Sequence, residues 1–308
     1  MLNKILKSCY YVSENSKHVN INLKKLDEFI KNFKEEDLNN WLLYNPNNIL
    51  DFDIETIVNF LLYFEAIDYS FWGDPKWCIE TDKGIKDGSD ALMFAMLSHI
   101  KEKEIDFDKM SYDDFCIMLK GNVEIPLLEN RYNTIQRIGK VVNQKMDNNF
   151  YKFISKYNSD VELFNIIIEN FSDFKDERVY FNKTIYFYKL AQLLTSDILH
   201  LREKFEKIEV CCSNLLGCAD YKIPQTLRAL GIIEYDEELS KIIDNQKEIS
   251  ISSEFEVEIR ASQLVVTDYI KNKIPNLNSI DINDLLYMYS TKVKNIVKPY
   301  HLCRNTNY

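Results

Sequence analysis

Apolar residues recur at helical spacing along most of this chain, and few helix-breaking residues interrupt them. Leu26, Phe29, Ile30 and Phe33 mark one stripe, and Ile54, Ile57, Val58 and Leu61 mark a second. Leu190, Leu193, Leu194, Ile198 and Leu201 mark a third, between Lys189 and Phe205. Further helices are expected over Ser89 to Ile100, Leu127 to Met146, Val161 to Phe171 and Ile282 to Val297. Seven glycines and six prolines in 308 residues leave little material for a sandwich built on turns. Ser111 with Asp114, and Ser253 with Glu256, have the spacing of helix-capping pairs. The one alternating run, Arg178 to Phe187, predicts a small β-hairpin turning at Asn182-Lys183. No linker, repeat or low-complexity tract divides the chain, so residues 1–308 are expected to form a single, mainly α domain.

Several classes of chemistry are disfavoured. The glycines form no cluster, so neither a phosphate-cradling loop nor a dinucleotide fingerprint is present. A formal net charge of −10 opposes direct nucleic-acid binding, which depends on a basic surface. The seven cysteines include no C-x-x-C, and the odd count reads as reduced thiols in a cytoplasmic protein. His18, His99, His200 and His301 fit no metal spacing, so neither a metal nor another cofactor is expected. The first residues carry no long apolar run, which gives no reason to expect a membrane span. Nothing in the sequence sets an oligomeric state.

Leu216 to Gly231 concentrates the remaining signals. Asp220 stands just ahead of a short helix in which Pro224 suits the first position and Gly231 the stop. A carboxylate there is either a cap or a fixed anion, and the helix dipole is expected to keep it ionised. Lys189, Leu193 and Asp197 share one side of a helix at i, i+4 and i+8, as a boundary salt bridge or as part of a site. Glu256 and Arg260 form an i, i+4 pair, with Glu258 between them on another face. A surface ion pair is the plain reading; the other makes Arg260 a fork for a phosphate or carboxylate. Tyr69, Phe71 and Trp72 lie beside Asp68 and Asp74 in a loop broken by Gly73 and Pro75, as a stacking platform or a core plug. Acids, a lysine, an arginine and an aromatic loop suit glycosidic cleavage among several chemistries.

Taken together, six segments resemble the queuosine salvage protein family: Tyr69-Ser-Phe-Trp72, Ile125-Pro-Leu-Leu-Glu129, Phe187 to Asp197, Ala219-Asp-Tyr-Lys-Ile-Pro-Gln225 with Leu230-Gly231, Glu256-Val-Glu-Ile-Arg260, and the His301/Tyr308 tail. They occur in the family's order over nearly the whole chain. The resemblance implies a helical fold related to helix-hairpin-helix DNA glycosylases. It also implies hydrolysis of queuosine 5′-monophosphate to queuine and ribose 5-phosphate, with Asp220 and Lys189 as the chemical pair. On that footing Tyr69, Phe71 and Trp72 are expected to stack on the base. Asp68, Asp74 and Asp197 are expected to meet its amine, and Lys222, Arg260, His301 and Arg304 its phosphate. Tyr221, Glu258 and Tyr308 complete the expected binding residues. The competing expectations are a helical module that reads or repairs bases in nucleic acid, and a non-catalytic interaction protein.

Overall fold

The computed structural model describes residues 1–32, 40–43, 47, 49–82, 84–102, 104–292 and 298–308. Among them the chain runs α1 (Leu2–Asn15), β1 (Val19–Ile21), α2 (Leu23–Lys31), α3 (Ile54–Ala66), β2 (Cys78–Thr81), β3 (Gly84–Asp87), α4 (Gly88–Glu102), α5 (Tyr112–Met118) and α6 (Leu128–Lys145). It continues through α7 (Phe150–Ile154), α8 (Asp160–Asn170), β4 (Glu177–Tyr180), β5 (Lys183–Tyr186), α9 (Lys189–Glu206) and α10 (Lys222–Ala229). The last elements are β6 (Ile233–Tyr235), α11 (Glu237–Asp244), α12 (Glu254–Lys273) and α13 (Ser279–Lys292). The expected helix ends at Phe33 and Val297 lie outside the described residues.

The chain is mostly helical, as the spacing predicts. The caps are where the sequence places them: Ser111 Oγ accepts from Asp114 N at 3.1 Å, and Ser253 Oγ from Glu256 N at 3.3 Å. The β4–β5 hairpin is present, with Tyr180 paired to Lys183. Its turn falls on Phe181 and Asn182, one residue earlier than expected, both with positive φ (45° and 60°), as a tight primed turn requires. Two further antiparallel pairs, β1 with β6 and β2 with β3, were not foreseen. Their strands are three or four residues long, too short to show an alternating period.

Two apolar clusters form the core, and α12 feeds both. Val257, Ala261, Leu264 and Val265 pack into the larger one with α1, α3, α4 and α9. Ile259, Val266 and Ile270 pack into the smaller one with Leu26, Ile223, Leu227 and Leu286 from α2, α10 and α13. A cleft of ≈ 530 Å³ opens along the seam, with Tyr69 and Phe71 from the first cluster on its wall and Ile223 and Tyr308 from the second.

Candidate active site

Lys189 is the first residue of α9, buried at the positive end of its own helix. Both conditions disfavour a cation, so the site must supply anions. Asp68 does so: its Oδ2 lies 3.1 Å from Lys189 Nζ, and its backbone carbonyl accepts from the same ammonium at 3.3 Å. Burial pulls the Lys189 pKa down, but the charge of Asp68, joined by that of Asp220, outweighs it and holds the pKa above the ordinary lysine value. Lys189 is therefore a fixed ammonium. Spacing on the helix pointed to Asp197 as its neighbour; the actual partner comes from the loop after α3.

Asp220 stands at the cleft wall just before α10. Its Oδ1 accepts from Lys222 N at 2.9 Å and Ile223 N at 3.1 Å, so the expected capping role is real. The helix begins at Lys222, which puts Pro224 third rather than first, still within the turn whose N–H groups lack intrahelical partners. Burial pushes the Asp220 carboxyl above its ordinary value, and Lys189 together with the two backbone donors offsets part of that rise. The helix end was expected to favour the ionised form; burial acts against it and is the larger influence.

The aromatic loop is both a plug and a wall. Tyr69, Phe71 and Trp72 are all buried, yet all three line the cleft. Arg131 on α6 organises them from behind. It donates to the carbonyls of Ile67 and Tyr69, and to Pro126 O at 2.9 Å. Its guanidinium lies 4.5 Å and 4.8 Å from the ring centroids of Tyr69 and Phe71. Arg304 covers Trp72 at 3.7 Å, so it backs the wall instead of lining the cleft. Tyr221 and Lys222 line the opposite side, where both approach the Tyr300 ring at 4.8 Å.

Other expected residues do not join the cleft. Asp74 is exposed and outside its lining. Asp197 is buried beneath it, accepting from Trp41 Nε1 at 3.2 Å and lying against Glu65. Burial pushes both of these carboxyls well up, an arrangement that favours one shared proton. Glu258 is taken up by five donors: Ser16 Oγ, Tyr180 OH and the backbone N–H groups of Lys17, His18 and Val19. Arg260 is fully buried, not a surface partner. It binds Asp176 and Glu256, donates to Ala219 O at 2.9 Å, and lies between the Phe187 and Tyr308 rings. With its fork filled, it has no face left for a phosphate. His301 is buried, and burial followed by Arg260 drives its pKa down to about 3, so it is neutral and unsuited to an anion. Tyr308 does line the cleft, its ring 4.1 Å from Arg260.

Sequence reasoning missed Asp284, Tyr287 and Tyr300, which line the cleft, as well as Arg131. Arg131 follows the Ile125-to-Glu129 run by two residues, a signal that could have raised it. Asp284 sits on an expected helix whose inward turn the sequence does not mark. Away from the cleft, His18 lies in two acidic groups, one with Glu254 and Glu258 and one with Asp236 and Glu238, the ligand atoms within each lying no more than 4.8 Å apart. Residues this far apart in the chain leave no ligand spacing to read. Among the described residues no helix is long and apolar enough to cross a membrane.

Residues 48–308 match the family model of the queuosine salvage protein. A queuosine 5′-phosphate N-glycosylase/hydrolase of Sphaerobacter thermophilus is 30% identical over 82% of each chain. Proteins of the same name from Dictyostelium discoideum and Bos taurus are 26% identical over 94% of each chain and 25% identical over 82%.

Proposed function

The chain belongs to the queuosine salvage protein family, and on that premise we propose that it hydrolyses the N-glycosyl bond of queuosine 5′-phosphate, freeing queuine for reuse in tRNA modification. The other product is ribose 5-phosphate. Breaking the bond develops positive charge at the sugar, and a fixed carboxylate near C1′ stabilises it. Queuine is a 7-deazaguanine with no N7 to protonate, so stabilisation on the sugar side matters more than for a purine. Asp220 is the carboxylate assigned to that task. The observation that carries this assignment is that Asp220 opens into the same cleft as the Lys189–Asp68 pair. Lys189 keeps Asp220 ionised and oriented.

The base lies among Phe71, Trp72 and the tyrosines of the cleft, where each aromatic contact contributes about 1–3 kcal/mol. Asp68 remains the acid proposed for its amine. Of Lys222, Arg260, His301 and Arg304, all expected at the phosphate, Lys222 is the one that lines the cleft, and it keeps that role. The resemblance further suggests kinship with helix-hairpin-helix DNA glycosylases and a single domain. The acidic charge and the free cysteines favour a free nucleotide substrate and a cytoplasmic setting.

The test is incubation of the purified protein with queuosine 5′-monophosphate and detection of free queuine by mass spectrometry. Asp220→Asn should lower kcat by about 10²–10³-fold. Absence of queuine with wild type, or near-normal turnover by the variant, would sink the reading.

A further inference from the structure

We infer that Gln263, together with Arg260 one turn before it on α12, is the positioning residue that holds Asp220 against the cleft. The inference rests on the assignment of Asp220 as the reacting carboxylate. Residues 216–220 belong to no helix or strand, so their backbone polar groups need partners from elsewhere. Gln263 is fully buried, and both ends of its amide are used on this segment. Its Nε2 donates to Cys218 O at 2.5 Å, and its Oε1 accepts from Asp220 N at 3.2 Å. Arg260 Nε donates to Ala219 O at 2.9 Å, between those two contacts. From the other side, Asn283 Oδ1 accepts from Cys218 N at 2.8 Å.

The segment can present its groups this way because Gly217 has a φ of 102° and lies close under Asn283. The amide orientation is fixed by its partners, since the Asp220 N–H needs an acceptor and the Cys218 carbonyl a donor. The chain before Asp220 is thus held by α12 while its carboxylate is held by the first turn of α10. A residue at position 263 must donate at one end and accept at the other. Leucine can do neither. Glutamate can do both when protonated, with its O–H donating to Cys218 O and its C=O accepting from Asp220 N.

The test measures kcat and KM for queuosine 5′-monophosphate with wild type, Gln263→Leu, Gln263→Glu and Asp220→Asn. Gln263→Leu should lower kcat by about 100-fold and leave KM within about threefold, because a displaced reacting group loses transition-state stabilisation more than binding. Gln263→Glu should lose as much at about pH 8, and regain about tenfold relative to wild type at about pH 5.5, as its carboxyl takes up a proton. A Gln263→Leu protein with wild-type kcat overturns the inference. So does a Gln263→Glu protein whose activity relative to wild type is the same at both pH values, even if the leucine variant does not fold. An inert wild type, or an active Asp220→Asn, overturns the underlying assignment and this inference with it.

Discussion

At the residue scale, Asp284 shows how the cleft trades stability for a charged lining. It is buried at the cleft wall, held by Asn40 Nδ2 at 3.2 Å and Asn283 Nδ2 at 3.3 Å. Burial pushes its carboxyl from 3.8 up to about 7. The folded state therefore binds this proton more readily than the unfolded chain does. The stability it contributes is full below the unfolded value of 3.8 and is lost as pH rises through about 7. A shift of roughly three units corresponds to at most about 4 kcal/mol. His301 acts with the opposite sign: its folded pKa of about 3 lies below the ordinary 6.5, so its contribution is present above 6.5 and is lost as pH falls. The wild-type curve sums these two with the other shifted groups, such as Glu65 and Asp197, and the difference from a variant isolates one. Asp284→Asn should gain about 2–4 kcal/mol on wild type between about pH 4 and pH 8 in denaturant melts. A difference that does not change with pH would show that Asp284 is not buried as an acid.

At the scale of elements, α12 directs different faces to different tasks. Gln263 and Arg260 address the backbone before Asp220, while Glu258 turns to the chain entering β1 and collects five donors. Glu258→Gln replaces an acceptor with a donor among groups that all donate. Each lost bond to a charged acceptor is worth about 1.5–3 kcal/mol, so a clear fall in melting temperature is expected. Turnover of the folded variant at 25 °C should stay within about twofold of wild type, because Glu258 does not reach the cleft. A large drop in kcat without loss of stability would return Glu258 to the site. The helix itself was legible in the sequence. Ser253 and Glu256 announced its start, and Val257, Ala261, Leu264 and Val265 fall at helical spacing on one apolar face. The other faces were not legible, because their partners lie more than 40 residues away and a single sequence carries no trace of such pairings. The Lys189 neighbour was misread for the same reason: helical spacing reaches Asp197, whereas the ion pair is made with Asp68, which is 121 residues distant.

At the scale of the whole molecule, the cleft lies where two apolar clusters meet, and its walls come from both. Asp68 and Lys189 stand with the larger cluster, and Asp220 with Lys222 leads into the smaller one through α10. On the proposed function, a nucleotide seated between them would tie together surfaces that unfolding separates. Binding to the folded state alone stabilises it by RT ln(1 + [L]/Kd), or about 2.7 kcal/mol at a ligand concentration 100 times Kd. For a chain of this size that amounts to a rise in melting temperature of roughly 5 °C. Asp220→Asn is the suitable protein for the measurement, since it should hold queuosine 5′-monophosphate without consuming it. Its melting temperature should rise with added nucleotide and rise less with ribose 5-phosphate, which lacks the base proposed to stack on the aromatic wall. Equal shifts with both ligands would place the binding energy on the phosphate and not on the aromatic wall. An unchanged melting temperature at saturating nucleotide would remove the cleft from the substrate's path altogether.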